Sequence, residues 1–155
     1  MLHYRRADPT VRHQLFLTRL WWQSERQWFM LHSSRLTEDE LSAGTYDGQE
    51  DAVAEVRRLS YLAFNADVKK CAREYLEEEV IPANKPGDAF HLAFATVHMI
   101  DYLLTWNHAH LANAEVQKKL ITINDRNKRR TPLVVSPLTI PKTMLGQTIR
   151  RKHED

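Results

Sequence analysis

The chain has 155 residues, of which 43% are apolar, and its formal net charge is +2. That length and apolar content predict one globular domain with a core of its own. No apolar run approaches the ~18 residues that span a membrane. The single cysteine, Cys71, excludes a disulfide framework and fits a reducing cytoplasm. We therefore expect a cytoplasmic protein, and the short apolar runs predict that it has no membrane segment.

The small net charge conceals an asymmetry along the chain. From Thr37 to Val80 there are twelve acids against five Lys and Arg, a balance of −7. From Lys118 to Asp155 there are ten Lys and Arg against three acids, a balance of +7. Basic clusters can attract phosphates by releasing counterions. A solvated helix end followed by a basic, flexible tail over residues 142–155 explains the positive charge equally well.

The first predicted elements are a helix and a strand. Asp8 and Pro9 have the residue types of an N-cap and a first helical position, so they indicate a helix start. Apolar residues then recur at helical spacing from Val11 to Trp22. The run Trp28–Leu31 is typical of a buried strand.

The acidic segment predicts short helices. Thr37-x-x-Glu40 is a capping-box pattern, and Gly44 ends the helix that it starts. Residues 49–62 carry apolar side chains at helical spacing, and a weak strand or turn is expected at residues 63–65.

The second half of the chain alternates between helices and strands. Residues 67–80 predict an amphipathic helix with Cys71 buried, and two prolines set the loop that follows. The remaining predicted elements are a buried helix from Asp88 to Met99, a strand at Tyr102–Trp106, a helix at Ala112–Asn124 and a strand at Leu133–Val135. This alternation predicts an α/β fold, with a parallel sheet flanked by helices on both faces.

Polar groups cluster at two points that an α/β fold brings together. Asp88 lies at the start of the buried helix, whereas Asn107, His108 and His110 follow the strand Tyr102–Trp106. Sites in such folds lie in the crevice beyond the carboxyl ends of the strands. We therefore expect Asp88 and Asn107 to share one site.

Two motifs resemble those of the PIN-domain family, the nucleases that include the VapC toxins of bacterial toxin–antitoxin pairs. Asp88-Ala89 matches the dipeptide that opens a buried helix in this family, and Thr105-Trp106-Asn107 matches the end of its next strand. The run Glu40-Leu41-Ser42-Ala43-Gly44 matches a Glu-Leu-x-x-Gly motif. The likeness extends from about Leu15 to Ser136 and is most specific between Pro86 and Asn113.

The resemblance implies a fold and an activity. It implies a PIN-like three-layer fold over residues 1–141 and metal-dependent hydrolysis of RNA phosphodiester bonds. Glu40 and Asp88 would hold Mg²⁺ or Mn²⁺, and Glu40, Asp88 and Asn107 would be the catalytic residues. The implied partners are an RNA substrate, a cognate antitoxin protein and a second copy of the chain in a homodimer.

The chain departs from the family pattern at its start. The first central strand and its terminal Asp are absent, because no apolar run precedes a carboxylate before Pro9 and Asp8 fits an N-cap better than a metal ligand. Met1–Tyr4 is too short to replace that strand. We expect a gapped sheet that associates through its open edges. Either the true start lies upstream, or the chain is a catalytically inactive PIN-like binding module that pairs with an antitoxin or with itself.

The histidines and tryptophans offer rival interpretations. His91 and His98, together with His108 and His110, have side chains that bind zinc readily, although semi-buried histidines explain the helical pair more simply. The four tryptophans could stack on unpaired bases. Core and dimer contacts are the more usual role of tryptophan.

Overall fold

The computed structural model describes residues 8–107 and 109–140. They form a mixed α/β structure that is mostly helical. The chain divides into two compact units. The described part of the first unit comprises residues 8–30 and 136–140, and the second unit comprises residues 31–135. The predicted tail from Lys142 and the segment Met1–Tyr4 lie outside the described residues.

The first unit is built around helix α1, Pro9–Ser24. As predicted, Asp8 is its N-cap: the carboxylate accepts a hydrogen bond from the Thr10 N–H at 2.7 Å. A 3₁₀ turn, Arg26–Trp28, follows α1. In the described part of this unit, the ring of the buried Trp21 packs on that of Phe29, with centroids 5.6 Å apart.

The prediction of a buried strand at Trp28–Leu31 is wrong. Trp28 ends the 3₁₀ turn, and the side chain of Met30 is 88% exposed. The apolar run arises because Phe29 packs back onto Trp21, and not because the segment enters a sheet. The first strand begins at His32.

The second unit alternates short strands with helices. Its elements are β1 (His32–Ser33), α2 (Arg35–Ser42), α3 (Gln49–Arg57), β2 (Ser60–Tyr61), α4 (Ala66–Glu77), α5 (Pro86–Val97), β3 (Tyr102–Leu104), α6 (Ala114–Arg126) and β4 (Leu133–Val135). Side chains of Ser34, Asn65 and Asn113 cap α2, α4 and α6 by accepting backbone N–H bonds, which satisfies donors that lack partners in the first turn.

Two predicted boundaries in the acidic segment are wrong. Thr37 is not the N-cap of α2: the Ser34 hydroxyl accepts from the Thr37 N–H at 3.2 Å, so the helix starts one turn earlier. The weak strand expected at residues 63–65 lies instead at Ser60–Tyr61. Asn65 is the N-cap of α4, so the residues just before it form the connection that leads into that helix.

The predicted parallel sheet is present as two separate pairs of strands. β1 pairs with β2 in parallel, and β3 pairs with β4 in parallel. Among the described residues, β1 and β3 each have one edge without a strand partner. No helix in this part of the chain combines the length and apolar content required to cross a bilayer.

Helix α5 forms the centre of the core of the second unit. Ala89, Leu92 and Ala93 are fully buried, and α5 packs along α4. Apolar side chains of α6 and β4 join the same cluster. Cys71 of α4 is buried within it, as predicted, and burial raises the pKa of its thiol.

Tyr75 and Glu38 form the main buried polar contacts in the second unit, whereas Ser33 Oγ is buried without a hydrogen-bond partner among the described residues. The buried Tyr75 hydroxyl lies 2.7 Å from Asn124 Oδ1 and 2.9 Å from Thr96 Oγ1. Asn124 Oδ1 can only accept, so Tyr75 donates to it and accepts from Thr96. Near the surface, the hydroxyl of Tyr61 donates to Glu38 at 2.7 Å and, with Arg57, lowers the pKa of that carboxyl.

The split sheet predicts low stability and self-association. Parallel strands usually lie in larger sheets with both faces covered, and open strand edges recruit further chains. We expect the chain to unfold below about 60 °C, the upper end for mesophile domains. We also expect its sedimentation coefficient to rise with protein concentration. A cooperative transition of a monomer above that temperature would contradict this expectation.

Candidate functional site

The first turn of α5 meets the segment that follows β3. Asp88 is the third residue of α5 and is partly buried. Its Oδ2 accepts a hydrogen bond from the side-chain amide of Asn107 at 3.2 Å. The two residues that sequence analysis assigned to one site are therefore in direct contact.

Local hydrogen bonds fix the orientation of the Asn107 side chain. The Asn107 N–H donates to Thr105 Oγ1 at 2.9 Å, and the Asn107 Oδ1 accepts from the His110 N–H at 3.1 Å. The amide nitrogen is thereby directed at Asp88. Thr105 itself continues the register of β3, because its N–H donates to the Val135 carbonyl at 2.8 Å.

Glu40 reaches the same turn of α5 from helix α2. Its Oε2 lies 2.8 Å from His91 Nε2, and its Oε1 lies 3.1 Å from the point where a Cβ on Gly87 would stand. The side chain of Glu40 is 51% exposed and that of His91 is 17% exposed. Glycine at position 87 therefore leaves room for the Glu40 carboxylate against the first turn of α5. The N-terminal end of a helix dipole also favours a negative charge at this place.

The topology explains why these groups meet. Glu40 lies on the helix that follows β1, and Asn107 lies after β3. Both segments extend from carboxyl ends of strands, and both contact the amino end of α5. Ligands of open α/β sheets also bind beyond the carboxyl ends of strands, although here β1 and β3 belong to two separate pairs of strands.

The carboxylates of Glu40 and Asp88 are ligands of the type that hard cations prefer, but the set is small. Carboxylate oxygens suit Mg²⁺ and Mn²⁺, and Mg²⁺ is commonly held by one or two carboxylates while it keeps several waters. His91 engages one oxygen of Glu40, and Asn107 engages one oxygen of Asp88. Within residues 8–107 and 109–140, no three or more His, Cys, Asp or Glu side chains are grouped so as to hold a metal ion. Two carboxylates alone leave Mg²⁺ largely hydrated and weakly held.

The histidines considered as zinc ligands have different partners. His91 contacts Glu40, whereas His98 Nε2 contacts the carbonyl oxygen of Ala63 at 2.8 Å. The ring of His98 also stacks on Phe94. His108 lies outside the described residues. Since His91 and His98 are bound to different groups, the helical pair is explained by ordinary hydrogen bonds.

A cavity of about 400 Å³ lies on another part of the second unit. Residues of α4, α6 and the two loops beside them line it, among them Glu79, His110 and Lys119. None of Glu40, Asp88 or Asn107 contributes to its wall. It adjoins the constellation at the start of α5 through His110, whose N–H donates to Asn107 Oδ1.

Sequence reasoning did not include His91 and Gly87 in the site. His91 stands three residues after Asp88, one helical turn along α5, so its spacing was a usable signal. Gly87 could have been recognised as a small residue beside a site carboxylate. The contact between His91 and Glu40 joins residues 51 positions apart, so it depends on the tertiary fold.

Comparison of the chain with models of known protein families, with curated proteins and with solved structures finds no match.

Proposed function

We propose that this chain is a PIN-like ribonuclease of the VapC toxin type that hydrolyses RNA phosphodiester bonds with Mg²⁺ or Mn²⁺. The observation that carries the proposal is that two separate segments contact the first turns of α5: Asn107 donates to Asp88, and Glu40 lies against Gly87 and His91. The three residues come from separate segments of the chain: Glu40 from α2, Asp88 from α5 and Asn107 from the residues after β3.

Each residue has a definite role in this proposal. Glu40 and Asp88 would hold the cation, which supplies an activated water and neutralises charge on the phosphate. Asn107 keeps Asp88 oriented through its amide N–H and presents a neutral polar group beside the phosphate. His91 restrains the Glu40 carboxylate. The wider proposal includes a cognate antitoxin protein, a homodimer and a cytoplasmic location.

A second candidate function is a catalytically inactive PIN-like module that binds an antitoxin or a second copy. The observation that favours it is that each carboxylate already has a hydrogen-bond partner in the chain. In addition, the described residues contain no group of three or more potential metal ligands. Such a site is complete as a structural contact and needs no cation.

An RNA cleavage assay separates the two candidates. The purified chain is incubated with labelled single-stranded RNA and Mn²⁺, with or without EDTA, beside the variants Glu40→Gln and Asp39→Asn. Asp39 neighbours Glu40 on α2 but pairs with Arg35 at 3.0 Å, so it is a matched control. We expect cleavage that EDTA stops, that Glu40→Gln reduces about tenfold or more, and that Asp39→Asn leaves unchanged.

Either of two results would contradict the nuclease proposal. No cleavage above the buffer background would favour the binding module. Equal cleavage by the unaltered chain and by Glu40→Gln would identify a contaminating nuclease.

A further inference from the structure

Helix α1 of the first unit exposes an unusual number of large apolar side chains. Phe16 is 62% exposed and Leu20 is 51% exposed, and Val11 and Leu15 are exposed on the same helix. Monomeric proteins rarely leave contiguous apolar patches uncovered, and such patches commonly mark contact surfaces. These four residues are therefore candidates for an interaction surface.

The exposed apolar residues share their surface with two arginines. Residues four apart are neighbours on a helix, and two adjacent rows of this kind run along α1. We define the α1 docking face by these rows, which are Val11–Leu15–Arg19 and Arg12–Phe16–Leu20. All six side chains are exposed. Each row holds two apolar residues and one arginine. Along the helix axis the arginines lie near opposite ends of the face, but around the axis they lie between the apolar residues.

The charge of this face is unbalanced. Helix α1 contains no Asp or Glu between Pro9 and Ser24. Within residues 8–107 and 109–140, neither Arg12 nor Arg19 forms an ion pair with a carboxylate. Arginine set among large apolar groups is typical of the energetic centre of protein interfaces, since its guanidinium is weakly hydrated and binds carboxylates in a fork.

The position of the arginines argues against two other occupants. A helix that lies in a membrane surface keeps its basic residues on the face opposite its apolar residues, but here Arg12 and Arg19 lie inside the apolar area. A second α1 helix would bring arginine against arginine without an acid between them. Burying a charge without a partner of opposite sign is strongly unfavourable.

We propose that the α1 docking face binds an acidic amphipathic protein segment, with carboxylates that pair with Arg12 and Arg19 and apolar side chains that cover Phe16 and Leu20. The partner complements both the charge and the apolar surface of the face. This inference does not depend on the nuclease proposal, since α1 carries none of Glu40, Asp88 and Asn107.

The test uses the full chain and a synthetic peptide of about four helical turns. The peptide has leucines at i, i+3, i+4 and i+7 and glutamates elsewhere, and its fluorescence anisotropy reports binding. We expect saturable binding that Arg12→Glu/Arg19→Glu weakens about tenfold or more, because reversing charges in a contact adds repulsion. Phe16→Ser/Leu20→Ser should weaken it by a similar factor.

Lys69→Glu/Lys70→Glu is the matched control. Both lysines are exposed on α4 of the second unit, and the substitution changes the net charge by the same amount. We expect it to alter the affinity for the peptide less than about twofold, because screened charges outside a contact contribute little. A circular-dichroism spectrum of each variant verifies that the helix content of the chain is unchanged.

Several results would overturn the proposal. Equal weakening by the α4 control would show attraction by net charge only, and equal binding of a peptide with lysine in place of glutamate would show unspecific apolar adhesion. Absence of peptide binding would overturn it too. In that case, binding of anionic lipid vesicles would identify a membrane as the occupant. Dimerisation lost in Phe16→Ser/Leu20→Ser would identify a second copy.

Discussion

The Asp88→Asn variant is expected to lose Mn²⁺-dependent RNA cleavage by about 100-fold or more, since even groups that only orient a metal ligand contribute 10- to 100-fold. It should also lose the Mn²⁺-dependent rise in Tm. A ligand stabilises only the state that it binds, and at a concentration 100 times its Kd that stabilisation is about 2.7 kcal/mol. Cleavage assays and thermal scans over a Mn²⁺ titration measure the two effects.

The metal-free stability should change little in the same variant. Asparagine keeps one oxygen that can accept from Asn107, and removing the charge of Asp88 relieves repulsion with Glu40. We therefore expect an unchanged or slightly raised Tm in EDTA. Asp67→Asn is the matched control, because Asp67 also lies in the first turn of a helix, α4. If Mn²⁺ raises the Tm equally in the unaltered chain and in Asp88→Asn, the cation binds elsewhere.

The Leu92→Ala variant is expected to cause the largest loss of stability. Leu92 is fully buried on α5 within the core of the second unit. Removing such a side chain costs about 2–5 kcal/mol through lost burial and the remaining cavity. That loss is a large part of the ~5–15 kcal/mol that holds a typical domain folded. Urea unfolding followed by circular dichroism measures the free energy of unfolding.

Ile121→Ala provides the control for this prediction. Ile121 is also an aliphatic residue within a helix, α6, but its side chain is exposed. Its replacement should change the free energy of unfolding by less than about 1 kcal/mol. A loss for Leu92→Ala no greater than that for Ile121→Ala would show that α5 is not the centre of the core.

The sequence predicted the elements whose signals are local. Helices α1, α4, α5 and α6 have clear apolar periodicity, capping residues or both, and β4 was predicted with its observed bounds. The strand predicted at Trp28–Leu31 failed because an apolar run of four residues does not reveal whether its side chains pack on a sheet or, as Phe29 does, on the preceding helix. The start of α2 was missed because both Ser34 and Thr37 are good capping residues.

The part of the candidate site that depends on the order of neighbouring elements was predicted. Asp88 and Asn107 lie 19 residues apart and flank one helix–strand unit, so their contact follows from the order of two elements. The partner of Glu40 depends on how α2 packs against α5. Periodicity and capping signals carry no information on that packing, so the contact with His91 was not predicted.

Helix α5 has two roles in this protein. The first turns of α5 hold Asp88, Gly87 and His91 for the constellation with Glu40 and Asn107, while its body supplies the fully buried side chains of the core. Ala89 and Leu92 stand directly beside Asp88 and His91, so a change of volume in the core moves the polar groups as well. A substitution in this segment therefore changes both the stability of the core and the positions of the polar groups. Substitutions that leave both properties unchanged are expected chiefly in other helices, such as α3 and α6, whose outer faces have no such double role.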